Sequence, residues 1–186
     1  MTIHFKILAN LRDQIQRDLR RRHAFAAERV GFISCMPART PSGLLIVAVG
    51  YHPVADADYL PARRVGAMMG PAAIRKALQF AYNHPVSMFH VHLHDHRGPP
   101  GFSSTDLRET QAFVPDFFKV QASLPHGALV LSQDSAVARC WRMAGAAPDW
   151  ISKITVVGSP LTFIRNLCPP NGFSARPFSA LTAKNA

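Results

Sequence analysis

"VSMFHVHLHDHRGPPGFSSTDL", Val86 to Leu107, decides how the whole chain is read. Its first nine residues, Val86 to His94, alternate in the period-2 manner of a strand. His90, His92 and His94 then share one face, with Val91 and Leu93 on the other. Same-face Cα atoms on a strand lie about 6.5–7 Å apart. Two neighbouring imidazoles can therefore converge on one ion at about 2.0–2.1 Å per zinc–nitrogen bond. A single histidine here would read as a hydrogen-bonded polar side chain. Four between His90 and His96 are hard to satisfy together without a cation.

Beyond the break at Gly98-Pro99-Pro100, Ser103 and Asp106 stand three apart. That spacing predicts a capping box opening a helix to about Phe113, stopped by Pro115. A first-turn aspartate can cap the helix and face a nearby metal at once. A catalytic zinc usually takes three protein ligands and leaves one position open. The third ligand should thus be a carboxylate or histidine from another element. Acidic residues are few, and Glu28 stands out as a charge just before an apolar strand in "HAFAAERVGFISC", which makes it the candidate general base.

Working outward, Leu8, Leu11, Ile15 and Leu19 fall at helical spacing and predict a leading amphipathic helix within residues 1–22. "VGFISCM" (Val30 to Met36) and "GLLIVAVGYHPV" (Gly43 to Val54) read as strands joined in a hairpin by "PARTPS". Asp56 to Met69 is polar and proline-broken, hence a loop, and is the candidate substrate-facing segment with its Arg63-Arg64 pair. Pro71 starts a helix with Ile74, Leu78, Ala81 and Tyr82 along one face. "GALVLSQD" and "ISKITVVG" supply two more strands, and residues 166–186 form a Pro/Ser-rich tail. The expectation is one domain over residues 1–165, α/β or α+β and layered, without the strict βαβ alternation of a doubly wound fold.

Apolar residues make up 48% of the 186, enough to bury a core and to exclude a disordered chain. No apolar run approaches the roughly 18 residues that cross a bilayer, and the N-terminal stretch has no secretory h-region. A cytoplasmic location and no membrane partner are expected. Cys35, Cys140 and Cys168 have no paired spacing, so buried reduced thiols are expected rather than disulfides or a thiolate zinc site. Lys+Arg 21 against Asp+Glu 11 gives a net charge of +10, which suits an acidic partner. No nucleic-acid-binding signature accompanies the charge, so nucleic acid is not the expected partner.

Together, Glu28 in "AAERVGFISC", "HLH" (His92 to His94) and "SSTD" (Ser103 to Asp106) resemble the JAB/MPN metalloprotease family with its JAMM motif. The resemblance covers roughly residues 20–160. It is nearest to the bacterial members that accompany ubiquitin-like conjugation systems. It implies a cytidine-deaminase-like mixed central sheet flanked by helices, and a zinc-dependent, deubiquitinase-like isopeptidase or peptidase. One Zn2+ per chain would be held by His92, His94 and Asp106. Glu28 would accept a proton from the attacking water and deliver it to the leaving amine, and Ser103 would hydrogen-bond the oxyanion. The substrate would be a ubiquitin-like protein or its conjugates, with activating and conjugating enzymes as further partners. Two departures stand: Asp95 follows the second histidine where the family has proline, and the gap to Ser103 is one residue longer. His94/His96 is therefore an alternative ligand pair, and His90, His96 and Asp95 are second-shell or alternative-ligand candidates.

Two rival readings differ in class. A metallo-β-lactamase-type hydrolase needs H-x-H-x-D-H, and from His90 the fifth and sixth positions are His94 and Asp95, in inverted order. A non-catalytic basic JAB/MPN scaffold or adaptor would keep the fold without turnover. Zinc deaminases need H-x-E and P-C-x-x-C, neither of which occurs.

Overall fold

Alternation of side chains writes most of the sheet. The computed structural model describes residues 2–22, 28–61 and 66–165. In chain order these form β1 (Thr2–Leu8), α1 (Ala9–Leu19), β2 (Val30–Thr40), β3 (Gly43–Pro53) and α2 (Pro71–Asn83). Then follow β4 (Ser87–Leu93), α3 (Ser104–Phe113), β5 (His126–Leu131) and β6 (Ala136–Trp141). The last elements are β7 (Asp149–Trp150), β8 (Lys153–Val157) and β9 (Thr162–Arg165). All nine strands belong to one mixed sheet in the order β7-β6-β5-β4-β2-β3-β1-β8-β9. The protein is mixed α/β, with parallel pairs β1–β3, β1–β8 and β4–β5 among antiparallel ones.

The two sheet faces bury different sets. Ile33 and Cys35 of β2, Phe89, Val91 and Leu93 of β4, and Ile3, Phe5 and Ile7 of β1 pack with Ile15 and Leu19 of α1. Val30, Phe32 and Met88 point the other way, onto Ala73, Ala77 and Ala81 of α2 and Phe113 of α3. Phe117 and Phe118, in a 3-10 segment Val114–Lys119 that follows α3, complete this second layer. Period 2 then sends His90 and His92 to the α2/α3 side. β4 is an interior strand, with His92 opposite Val30 of β2 and Val130 of β5. Its imidazoles stand on a backbone hydrogen-bonded along both edges.

Several expectations change. The leading amphipathic helix of residues 1–22 is instead a strand followed by a helix. Thr2–Leu8 buries Ile3, Phe5 and Ile7 at period 2, and parallel partners on both sides hold it extended. Ile15 and Leu19 keep their helical spacing in α1, while Leu8 is exposed. On α2 the buried stripe is Ala73, Ala77 and Ala81, four apart, and Tyr82 is 68% exposed. Small side chains there let the helix approach the sheet closely. Strands β6, β7 and β9 were not expected. Cys35 and Cys140 are buried and free. Cys168, the Arg63-Arg64 pair and the tail 166–186 lie outside the described residues. Among the described residues no helix is long and apolar enough to cross a membrane.

His126 ties this core to pH. Its Nδ1 accepts the Met88 N–H at 3.1 Å, so Nε2 carries the proton and donates to Gln121 O at 3.1 Å. The ring stacks on Phe117 and meets Phe118 edge-on. Burial presses its pKa down to about 4 from 6.5, against a small upward pull from Gln121 O. The unfolded chain takes up this proton below about pH 6.5 and the folded one does not until about pH 4. Stability is therefore lost as pH falls across that window, by about 3 kcal/mol. Urea midpoints of the wild type and His126→Gln, measured from pH 7 to pH 4, are expected to converge by that amount. A difference that stays flat would refute the assignment.

Candidate metal centre

The site is assembled where β4 ends against the start of α3. His92 is the penultimate residue of β4. His94 lies one residue past the strand, yet its N–H still bonds Leu131 O of β5 at 2.9 Å, which prolongs the strand's alternation. Their Nε2 atoms approach to 3.2 Å. Asp106 Oδ2 lies 3.5 Å from His92 Nε2 and 3.9 Å from His94 Nε2. Glu28, two residues before β2, brings a carboxylate oxygen within 4.8 Å of both ring nitrogens. His92 is buried; Glu28 and His94 are half-buried.

Asp106 is held by its own helix. Ser103 Oγ accepts the Asp106 N–H at 3.1 Å, and Asp106 Oδ2 accepts the Ser103 N–H at 2.7 Å. This is the expected capping box, and α3 starts where the sequence placed it. One lone pair of Oδ2 serves the cap; the other is free to face the imidazoles. The cap stabilises α3 by about 1 kcal/mol while fixing the direction of the carboxylate.

The donor set fits a cation. A tetrahedral ion with arms of about 2.0–2.1 Å separates its ligand atoms by about 3.3–3.4 Å. The three observed separations of 3.2, 3.5 and 3.9 Å bracket that edge. Burial alone would raise the Asp106 pKa. The adjoining His92 and the two Ser103 bonds outweigh it and hold the carboxyl well below the usual range, so it is anionic. Burial, then His92, lowers His94, against opposing pulls from Glu28 and Asp106. A neutral imidazole with a free lone pair is the form that ligates metal.

The remaining candidates separate cleanly. His90 is buried edge-on to Phe113 and Phe32, and burial followed by His92 lowers it to about 3, so it stays neutral. His90 Nδ1 and His92 Nδ1 are buried without a hydrogen-bond partner among the described residues. A metal-bound histidine usually has an acceptor at that second nitrogen, and here His92 departs from the pattern. Asp95 is not at the site: it pairs with Arg20 at 3.3 Å and accepts from Gln133 Nε2 at 3.1 Å. His96 is exposed and its Nδ1 donates to Arg97 O at 2.8 Å. The structure thus gathers His92, His94, Asp106 and Glu28, and leaves Asp95 and His96 outside. His126 is committed to the core, away from this site.

The cluster opens into a cleft of about 680 Å³ walled by Met68, Met69, Ile74 and Phe113. Met68 and Met69 belong to the segment expected to face substrate. Gly66 of the same segment also lines the cleft, and nothing in the sequence ties it to Glu28, 38 positions earlier. No family model matches this chain, and no curated protein matches it.

Proposed function

We propose that this protein is a zinc-dependent isopeptidase or peptidase of JAMM type acting on a ubiquitin-like protein, built on a JAB/MPN-like, cytidine-deaminase-like sheet. One observation carries the reading. Two histidine nitrogens and an aspartate oxygen, drawn from H-x-H and S-x-x-D, converge at ligand spacing beside the single early glutamate. His92, His94 and Asp106 would hold the ion. The chemistry supplied there by zinc would be a water acidified towards pKa about 7 and a polarised carbonyl. Glu28 accepts the proton of the attacking water and returns it to the leaving amine nitrogen. Ser103 Oγ accepts the Asp106 N–H while its hydroxyl faces the Asp106 carboxylate, so bonding an oxyanion would mean turning that hydrogen from the carboxylate to the substrate.

The loop after His94 is pinned around Gly98. Gly98 adopts φ +87, which favours glycine. Its N–H bonds Asp134 Oδ1 at 2.8 Å, and its carbonyl accepts from Ser132 Oγ at 2.7 Å. Asp95, in place of proline, turns to Arg20.

The test is direct. Zinc at about 100 times its Kd should stabilise the protein by about 2.7 kcal/mol, raising Tm by about 5–10 °C at one ion per chain. The loaded protein should cleave a ubiquitin-like fusion, and a chelator should stop it. Tight zinc without cleavage of linear or isopeptide-linked fusions would replace the enzyme with the scaffold reading.

A further inference from the structure

We infer that Gly66 is a positioning residue for Glu28: the side chain it lacks would fill the space that the Glu28 carboxylate occupies. A Cβ placed on Gly66 would lie 2.5 Å from Glu28 Oε2, 2.7 Å from Cδ and 3.2 Å from Oε1. All three nearest atoms belong to one carboxyl group. Among the described glycines, Gly66 alone has a carboxylate as its neighbour in this sense; Gly31 faces Tyr51, and Gly127 faces Phe89 and the Arg139 carbonyl. Nor does the backbone demand glycine here. Among the described residues the glycines with a positive φ are Gly43, Gly98 and Gly145, and Gly66 is not among them.

Both sides of this contact are anchored. Glu28 N–H donates to Gly66 O at 2.7 Å. Arg29 pairs with Asp56 at 2.6 Å, and Tyr59 Oη accepts the Val30 N–H at 2.8 Å. Three successive residues, 28 to 30, are thus tied to the segment between β3 and α2. On the far side, Leu60 N–H bonds Met68 O at 2.9 Å and Gly70 N–H bonds Asp58 O at 2.8 Å. With these bonds among the described residues, the group that an added methyl meets is the end of the Glu28 side chain, which must swing to make room. Such a swing moves the end of a flexible side chain and leaves the backbone bonds in place. A proton-transfer group cannot tolerate it, because its reach is set to a fraction of an ångström.

This rests on Glu28 being the base, and the experiment separates the two claims. Gly66→Ala is expected to lower kcat on a ubiquitin-like fusion by about 10²-fold, with KM and the zinc Kd within about twofold. Its metal-free Tm should stay within about 2 °C of wild type. Glu28→Asp, one methylene shorter, makes room for the new methyl. Gly66→Ala should therefore slow the Glu28→Asp enzyme by less than about threefold. Equal losses in both backgrounds, or an unimpaired Gly66→Ala, would overturn the inference. Should the wild type cleave no such fusion, the proposed function fails. The positioning claim is then decided by a crystal structure of metal-free Gly66→Ala: a displaced Glu28 carboxylate supports it and an unmoved one refutes it.

Discussion

Glu28→Gln is expected to cut kcat on a ubiquitin-like fusion by about 10³–10⁴-fold, with zinc still bound at one ion per chain. Glutamine keeps the volume of the side chain and the Gly66 contact but cannot accept a proton at neutral pH. The Glu28 carboxylate forms one group with His92 and His94 whose ligand atoms all lie within 4.8 Å of one another, so zinc affinity is what separates a base from a ligand. Calorimetric zinc titration of the variant checks the second half: a Kd weakened as severely as by loss of a histidine would make Glu28 a ligand. Full turnover by the variant would end the mechanism.

Asp106 carries two duties, and two substitutions pull them apart. Asp106→Ala is expected to lose the Ser103 N–H acceptor, costing α3 about 1 kcal/mol, together with the ligand. Asp106→Asn can still accept from Ser103 N–H, so its metal-free Tm should stay close to wild type. Both should bind zinc far more weakly. Removing a mere supporting partner of a ligand typically costs 10–100-fold in affinity, so losing the ligand itself is expected to exceed about 10²-fold. Cleavage should fall to background in each at limiting zinc. An Asp106→Asn protein that binds zinc as tightly as wild type would remove Asp106 from the donor set, leaving the cap as its sole role.

The centre was more legible than the sheet around it, for a local reason. His92, His94 and Asp106 lie within fifteen positions, and each is oriented by its own element: strand alternation for the imidazoles, the capping box for the carboxylate. Short-range rules suffice there. Glu28 was legible only as a charge against an apolar run, and Gly66 not at all, since its meaning lies in a contact across the chain. β1 was misread because two periods overlap. Leu11, Ile15 and Leu19 are the true stripe of α1 and Leu8 extends its spacing backwards, while Ile3, Phe5 and Ile7 keep the strand's period, which parallel neighbours from residues 43–47 and 153–157 enforce. β6 was hidden by its charge. Arg139 sits on a strand between two indoles, its guanidinium 5.4 Å from Trp141 and 5.5 Å from Trp150. Stacking on aromatic faces lets a weakly hydrated guanidinium occupy a half-buried strand position.

The place of β1 has a practical bearing on any shortened version of this chain. It is a keystone wedged between β3 and β8, not a fringe. Excising residues 2–8 would split the array into a six-strand block and a two-strand remnant, and would bare a row of unpaired amides on each. Such bared rows invite sticking between molecules. Trimming at the amino end therefore strikes the middle of the architecture, far along the sheet from the histidines and yet decisive for keeping them in solution.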